Sequence, residues 1–351
     1  MDLSKLREPI VQAPLAGGAS TPRLAAAVNE AGGLGFLAAG YRTADVVREH
    51  IRELRSLTSG PFGVNIFAPP APGGDDGALA SYAATLEAEA DRYGVELGEP
   101  RHDDDDFAAK LALVVAEGVE LVSFTFGCPQ AEVVGRLREA GCDVWVTVTK
   151  PEEAVEAQAA GATALVVQGF EAGGHRGYFS DSLDADDLGL LVALRLVSGR
   201  VDLPLVAAGG IADGASVAAA LCAGAAAAQV GTALMLTPEA GTSAPHRAAL
   251  ASPGVTHLTR AFSGRQARGI VNRFMEEHDA AAPIAYPEVH HLTTPIRAAA
   301  RESGDPEAIN LWAGQAYSLA REEPAADVVR RLGAEAREAA RRLARALGDP
   351  A

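Results

Sequence analysis

Eight short apolar runs recur over the first two thirds of the chain and alternate with longer, Ala-rich amphipathic stretches. Each run is continuously apolar rather than alternating, which is typical of parallel strands buried on both faces. Repeated strand-then-helix units predict either a closed (βα)8 barrel or a doubly wound sheet. The runs lie at 10–15, 34–39, 62–67, 121–126, 143–149, 164–168, 204–208 and 226–230.

The alternation of predicted strands and helices is interrupted once and later ends. An insertion at about 68–120 contains a predicted helix at 79–93 and an acidic run at 102–106, which we interpret as a solvated loop and helix start rather than a metal site. We expect the barrel to span residues 1–236, and residues 237–351 to form a mostly helical lid or subdomain packed on it. Its last stretch, 325–347, is rich in Arg, Glu and Ala. It reads as a surface or interface helix, which leaves a homodimer as one option.

Charge and cysteine content exclude several classes of function. The chain has 30 Lys and Arg against 46 Asp and Glu, a net charge of −16. Phosphate backbones and anionic lipids repel such a surface, so we expect no nucleic-acid or membrane partner. No apolar run is long enough to span a bilayer. The three cysteines are odd in number and far apart, which suits a reducing cytoplasm and predicts no disulfide framework or metal site.

The loops after the strands carry the reactive groups in a barrel of this kind. The sixth run ends at Gln168 and enters a loop with four glycines in nine residues, with His175 and Arg176 inside it. Glycines permit unusual backbone angles and close approach to a flat or phosphorylated ligand. The Gln168 amide can both donate and accept a hydrogen bond, which suits the edge of a heterocycle. We therefore predict that His175 is functional.

The seventh and eighth runs both end in glycine turns. Gly209 and Gly210 follow the seventh run, and Gly231 follows the eighth. Backbone N–H groups in such turns can cradle a phosphate, and in barrels this pair of loops is the usual phosphate site. No G-x-G-x-x-G opens a helix after the first run, which disfavours a dinucleotide fold and favours a mononucleotide such as FMN.

Three other strand ends contribute candidates. The small residues Ala13 and Pro14 after the first run leave room for a planar ring. Asn65 in the third run either bonds a ring edge or has a structural role. Cys128 after the fourth run has no nearby His or cysteine cluster, so we interpret it as a wall or core residue rather than a nucleophile.

At these residues the chain resembles the nitronate monooxygenases, formerly called 2-nitropropane dioxygenases, which are FMN-dependent (βα)8 enzymes. The likeness continues into the segments 259–269 and 311–315. The resemblance implies a flavoprotein oxidoreductase with FMN contacts at strand ends and in the glycine loops. Those carried over are Asn65, Gln168, Gly173, Gly209, Gln229, Val230, Gly231 and Thr232, and the neighbouring Gln12, Ala13, Pro14, Gly174 and Gly210 complete the expected cofactor site.

The resemblance also implies an activity: oxidation of alkyl nitronates, such as propionate 3-nitronate, with O2, which detoxifies nitro compounds. His175 becomes the catalytic base or substrate anchor. Some relatives have a second active-site His where this chain has Thr125, so we expect His175 to act alone. An anionic substrate needs local positive charge, for which Lys150, Arg176, Arg265 and Arg268 are the candidates.

Two other functions remain open from the sequence. An NAD(P)H-dependent flavin reductase of enoyl thioesters or quinones can use the same fold, and close variants of the glycine loop occur in such enzymes. A flavin- or phosphate-binding module without turnover is a third reading. A His beside the glycine loop disfavours that third reading.

Overall fold

The computed structural model describes residues 1–70, 75–182 and 187–348. Eight parallel strands form one sheet. A parallel bridge from Val11 to Leu34 joins the first and last of these strands, and the Gln12 N–H donates to the Leu34 carbonyl at 2.8 Å. The sheet therefore closes into a (βα)8 TIM barrel, as predicted, and the doubly wound alternative is excluded. Its strands are β1 (Ile10–Gln12), β2 (Gly35–Ala38), β3 (Phe62–Phe67), β4 (Leu121–Thr125), β5 (Asp143–Val148), β6 (Ala164–Gln168), β8 (Leu205–Ala208) and β9 (Ala227–Val230), while β7 (Gly174–His175) belongs to a second sheet. The barrel strands lie side by side in the order β1-β9-β8-β6-β5-β4-β3-β2.

Each of the eight apolar runs contains a barrel strand, and most residues of the runs are buried. Helix starts follow the local sequence as well. Thr21 accepts a hydrogen bond from the Leu24 N–H at 3.0 Å, and Pro22 opens that helix. The helices are α1 (Pro22–Ala31), α2 (Ala44–Leu57), α3 (Asp76–Tyr93), α4 (Phe107–Ala116), α5 (Ala131–Glu139), α6 (Pro151–Ala159), α7 (Leu190–Ser198), α8 (Gly214–Cys222), α9 (Ala244–Leu250), α10 (Arg273–His278), α11 (Glu288–Ser303) and α12 (Ala325–Ala346).

Helix α12 takes the place of the eighth barrel helix. It packs between α8 and α1, and Val328, Val329 and Leu332 are fully buried in the same core as strand residues of the barrel. The sequence interpretation of this stretch as a surface or interface helix describes only its C-terminal half, where Leu343 is exposed.

A second core lies outside the barrel. Tyr82 and Leu86 of α3 pack with Phe262, Phe274 and other residues of the C-terminal segment. The inserted helix α3 and the segment 235–317 are thus packed as one unit, while α4 of the same insertion packs on the barrel against α2 and β3.

A small antiparallel sheet links this second core to the barrel loops. It contains β10 (Thr256–Thr259), β11 (Ala267–Ile270) and the two-residue β7 (Gly174–His175), in the order β10-β11-β7. These strands lie partly within the segment for which the sequence indicated helices. The pairing sets His175 opposite Ala267, so the C-terminal segment positions the candidate catalytic residue.

Within the described ranges, no helix combines the length and apolar character that crossing a bilayer requires.

Candidate functional site

A cavity of about 460 Å³ opens at the carboxyl ends of the barrel strands, beneath the C-terminal segment. It brings together twelve of the fourteen predicted site residues, which come from six strands or the loops that follow them. They are Ala13, Pro14, Asn65, Gln168, Gly173, Gly174, His175, Gly209, Gly210, Gln229, Gly231 and Thr232.

The other two predicted residues, Gln12 and Val230, do not line the cavity. Val230 is fully buried in the barrel core. The Gln12 amide donates to the Phe36 carbonyl at 2.9 Å and to Ser20 Oγ at 3.1 Å, and its oxygen accepts from the Phe36 N–H. Gln12 therefore joins β1 to β2 at the seam where the barrel closes, which is a structural role.

The two glycine turns provide unused donors at one end of the cavity. The backbone N–H groups of Gly209, Gly210, Ile211, Gly231 and Thr232 donate no hydrogen bond to any described residue. All five residues line the cavity, so their free N–H groups can donate to an anionic group such as a phosphate.

The cradle is made by loops and not by helix ends. At the start of α8 the Ser216 N–H donates to Asp213 Oδ1 at 2.8 Å, and the Gly214 N–H donates to Glu335 Oε2 of α12 at 3.0 Å. Those carboxylates occupy the helix N-terminus. After β9 the chain forms a short 3₁₀ turn at Thr232–Leu234 instead of an α-helix.

Asn65 presents an acceptor to the cavity. Its Nδ2 donates to Ser123 Oγ at 2.9 Å and to Thr125 Oγ1 at 3.0 Å, while its Oδ1 accepts from no described residue. The side chain is buried, at 2% exposure, and lines the cavity wall. These bonds fix the amide orientation so that Oδ1 can accept an N–H from a bound ring.

Gln168 mainly organises its own loop. Its Oε1 accepts from the Gly177 N–H at 2.8 Å and from Arg176 Nη1 at 2.9 Å, and its Nε2 donates to the His175 carbonyl at 3.0 Å. One Nε2–H remains for a ligand. A Cβ on Gly173 would lie 2.5 Å from the Gly314 nitrogen. The glycine there permits two protein segments to meet, and does not by itself indicate ligand approach.

His175 lies in an aromatic enclosure. Its ring makes edge contacts with Phe126, Tyr286 and Trp312 at centroid distances of 5.6, 5.8 and 5.4 Å. Burial, followed by the charges of Arg265 and Arg297, lowers the pKa of His175 to about 3. The imidazole is therefore neutral at physiological pH.

Ser263 fixes which ring nitrogen is free. Ser263 Oγ lies 2.8 Å from His175 Nε2 and 3.1 Å from the Arg265 carbonyl oxygen. A hydroxyl has one proton and a carbonyl oxygen can only accept, so we assign the Ser263 proton to that carbonyl. His175 Nε2–H then donates to Ser263, and Nδ1, which has no partner among the described residues, keeps its lone pair.

His175 is not the only imidazole in the cavity wall. His246 and His290 also line the cavity. His246 Nε2 is 3.1 Å from the Trp312 carbonyl, and burial lowers the pKa of His246 to about 4. His290 stacks on Tyr41 at 4.2 Å. Their chain positions, far from any predicted strand end, carry no signal that would have placed them there.

The four cations predicted to attract an anionic substrate do not line the cavity. Arg176 Nη1 donates to the Gly169 carbonyl, Arg265 bonds the Arg176 carbonyl, and Arg268 bonds the Phe170 carbonyl. Lys150 is exposed. Two arginines that the sequence analysis did not single out, Arg297 and Arg301 of α11, line it instead.

Two aromatic residues of the wall have left-handed backbone angles, Tyr41 with φ 63° and Phe126 with φ 79°. Such angles cost of order 1–3 kcal/mol for a non-glycine residue and persist where the surrounding structure enforces them. Asp105 supports Tyr41 by accepting its N–H at 3.0 Å and pairs with buried Lys110 at 2.7 Å. The acidic run does lead into a helix start, since Asp106 is the N-cap of α4. It is not simply a solvated loop, however, because Asp105 supports the cavity wall.

A group of side chains with metal-ligating chemistry lies away from the cavity. Among the described residues, Glu89, Glu277 and His278 approach closely enough to share an ion. Arg273 already occupies this group through Nη1–Glu277 at 2.8 Å and a second pair with Glu89. The residues form an ion-pair cluster of the second core.

Comparisons with known proteins agree with this geometry. A family model described as nitronate monooxygenase matches residues 1–335. The nitronate monooxygenase of Pseudomonas aeruginosa is 43% identical over 95% of this chain and 97% of its own length. That of Paraburkholderia phytofirmans is 39% identical over 98% and 96%. The crystal structure of nitroalkane oxidase from Streptomyces ansochromogenes superposes with a TM-score of 0.95 at 52% identity, covering 97% of this chain and 99% of that one.

Proposed function

The chain belongs to the nitronate monooxygenase family, and from that premise we propose that it is an FMN-dependent enzyme that oxidises alkyl nitronates, such as propionate 3-nitronate, with O2. The observation that carries this proposal is the placement of a neutral imidazole with a free nitrogen in the same cavity as a cluster of free backbone N–H donors. Detoxification of nitro compounds is the biological role we propose for this reaction.

The cavity residues fit FMN. The unpaired N–H groups of Gly209, Gly210, Gly231 and Thr232 would hold the phosphate. Asn65 Oδ1 and the remaining Gln168 Nε2–H would meet the polar edge of the ring. When bound, FMN supplies the redox chemistry that passes electrons from the nitronate to O2. The remaining predicted contacts are cavity-wall residues that would enclose the ring: Ala13, Pro14, Gly173, Gly174 and Gln229.

In this proposal the proton acceptor is Nδ1 of His175. With Nε2–H held by Ser263, Nδ1 can take the α-proton of a neutral nitroalkane and generate the nitronate within the cavity. For a preformed nitronate no proton need be removed, and the ring then only positions the substrate. Thr125, in the place of the second His of some relatives, bonds Asn65 and Thr147 and has no proton-transfer role in this proposal.

The C-terminal segment would act as a lid over this chemistry. Phe262 and Trp312 belong to the second core, and Tyr286 lies in the same C-terminal segment. Trp312 and Tyr286 contact His175 directly. An apolar enclosure excludes water and strengthens electrostatic interactions inside it.

We further propose a cytoplasmic location, which three unpaired cysteine thiols support.

The test is anaerobic mixing of the purified protein with a nitronate and, separately, with NADH, while the flavin absorbance is recorded. We expect one non-covalent FMN per chain and reduction by the nitronate. Rapid reduction by NADH with none by the nitronate would replace this proposal with the flavin reductase alternative. Bound FAD, or a folded protein that binds no flavin, would contradict the cofactor assignment.

A further inference from the structure

Tyr41 is held in the cavity wall by an arrangement that is unfavourable in two ways. Its φ of 63° lies in the left-handed region, which a bulky side chain rarely adopts. The Tyr41 N–H donates to Asp105 Oδ1 at 3.0 Å, and Asp105 pairs with the fully buried Lys110 at 2.7 Å. Burying such a pair costs desolvation free energy. Backbone strain and a buried ion pair thus both fix the place of this side chain, and strain of this kind is typical of functional sites.

A pair of tyrosines connects Tyr41 to the candidate base. The ring of Tyr286 makes an edge contact with His175 at a centroid distance of 5.8 Å, and its hydroxyl donates to the Tyr41 oxygen at 3.2 Å. Tyr41 also stacks on His290 at 4.2 Å with the two rings nearly parallel, which fixes the plane of its own ring. The Tyr41 hydroxyl is therefore held on the same side of the cavity as His175, with the Tyr286 side chain between them.

The hydroxyl protons next to His175 are already used, whereas that of Tyr41 is free. The proton of Ser263 goes to the Arg265 carbonyl, and the proton of Tyr286 goes to Tyr41. The Tyr41 hydroxyl has no acceptor in the part of the chain that the structure describes, and Tyr41 lines the cavity. Burial raises the pKa of Tyr41 to about 12. Its proton therefore stays on the oxygen at neutral pH, and the hydroxyl can serve a ligand as a hydrogen-bond donor.

We propose that Tyr41 is a catalytic residue whose O–H donates a hydrogen bond to a nitro oxygen of the substrate. The inference rests on the proposed function and adds a second residue to its proton-transfer step. When His175 Nδ1 takes the α-proton, the electron pair of the broken C–H bond moves into the nitro group, and its oxygens gain the negative charge. A donor that is already in place stabilises this charge as it develops. The Tyr41 proton remains on its oxygen throughout.

The experiment compares the wild-type holoenzyme with Tyr41→Phe, which removes the hydroxyl and keeps the ring that stacks on His290. With neutral nitroethane, kcat/KM should fall about 10- to 100-fold, as one hydrogen bond to a charged group predicts. Most of this loss should be in kcat, because the charge appears only in the transition state. Preformed ethyl nitronate binds with its charge in place, so its loss should be mainly in KM. FMN content should not change. The control is Tyr93→Phe, whose hydroxyl bonds Asp305 in the second core and should affect neither substrate.

Unchanged kinetics in Tyr41→Phe would overturn the inference. A loss of bound FMN would overturn it as well, because Tyr41 would then hold the cofactor. Equal losses of kcat on both substrate forms would do the same, since the nitronate needs no proton transfer.

If the wild type oxidises neither substrate form, the proposed function fails, and proton exchange decides the inference separately. NMR then follows the exchange of the α-protons of nitroethane in D2O without O2, a reaction that uses the base and the donor but no oxidation. The wild type should accelerate this exchange above the buffer rate, and Tyr41→Phe should lose most of the acceleration. No acceleration by the wild type, or equal acceleration by both proteins, would overturn the inference.

Discussion

The acid limb of the pH–activity profile tests the environment of His175. Burial and two nearby arginines lower its pKa to about 3. At pH 5 a histidine with the ordinary pKa of about 6.5 is neutral in only about 3% of molecules, a roughly 30-fold loss of base. At the shifted pKa about 99% stays neutral. We therefore expect kcat/KM for a neutral nitroalkane to stay flat from pH 8 to about pH 5.

The lowered pKa of His175 also makes folding stability depend on pH. The direction of this dependence follows from which state, folded or unfolded, binds the proton at the higher pH. The unfolded chain protonates His175 near pH 6.5, whereas the folded protein resists until about pH 3. Folding stability therefore falls as the pH drops through this window, by about 2 kcal/mol at pH 5 from this group alone. The difference between wild type and His175→Asn in urea unfolding, measured at pH 7 and pH 5, isolates that contribution.

His175→Asn also separates the two roles proposed for the ring. The amide retains some hydrogen bonding but cannot take the proton, so kcat/KM for neutral nitroalkanes should fall about 10²- to 10⁴-fold. Preformed nitronates should lose less, and FMN content should be unchanged. An acid limb near pH 6.5 in the wild type would refute the buried, neutral imidazole. Equal losses of kcat/KM on both substrate forms would make His175 a substrate anchor. No loss on either form would remove His175 from the mechanism.

Two further substitutions probe the cradle and the ring orientation. Gly231→Ala adds a Cβ at a residue of negative φ, −110°, with its nearest atoms 3.4 Å away. It should lower FMN occupancy while the thermal midpoint is kept, whereas Gly135→Ala on an open helix face should alter neither. Full occupancy in Gly231→Ala would place the phosphate elsewhere. Ser263→Ala frees His175 Nε2 and should lower kcat about 2- to 10-fold on neutral nitroalkanes with little change in KM; an unchanged kcat would show that Ser263 does not orient the base.

Local sequence was enough to predict the barrel. Each parallel strand is buried on both faces, so its apolar run is visible without knowledge of its neighbours. Helix starts are equally local, as Thr21 and Pro22 show. The glycine turns at Gly209 and Gly231 follow strands seven and eight of the barrel, and strand order alone brings them to one cavity.

Gln12 shows where this reasoning reached its limit. Its position at a strand end predicted a cofactor contact, yet the side chain faces the barrel seam and bonds Phe36. Strand-end position fixes which edge of the barrel a residue occupies, but the direction of the side chain depends on strand tilt and on the neighbour across the seam. Gln168 was also predicted to contact the cofactor, but most of its hydrogen bonds are to its own loop, and only one Nε2–H is left for a ligand.

The sequence by itself determined the barrel, its glycine turns and the position of His175, because strand burial, capping and turn chemistry act over a few residues. Only the tertiary structure brought Arg297, His290 and Tyr41 to the cavity, since the hydrogen bond between Tyr41 and Tyr286 spans 245 residues. It also decided that α12 covers the barrel and that α3 joins the second core. An amphipathic helix shows that one face will be buried, but what covers that face is settled by packing between distant segments.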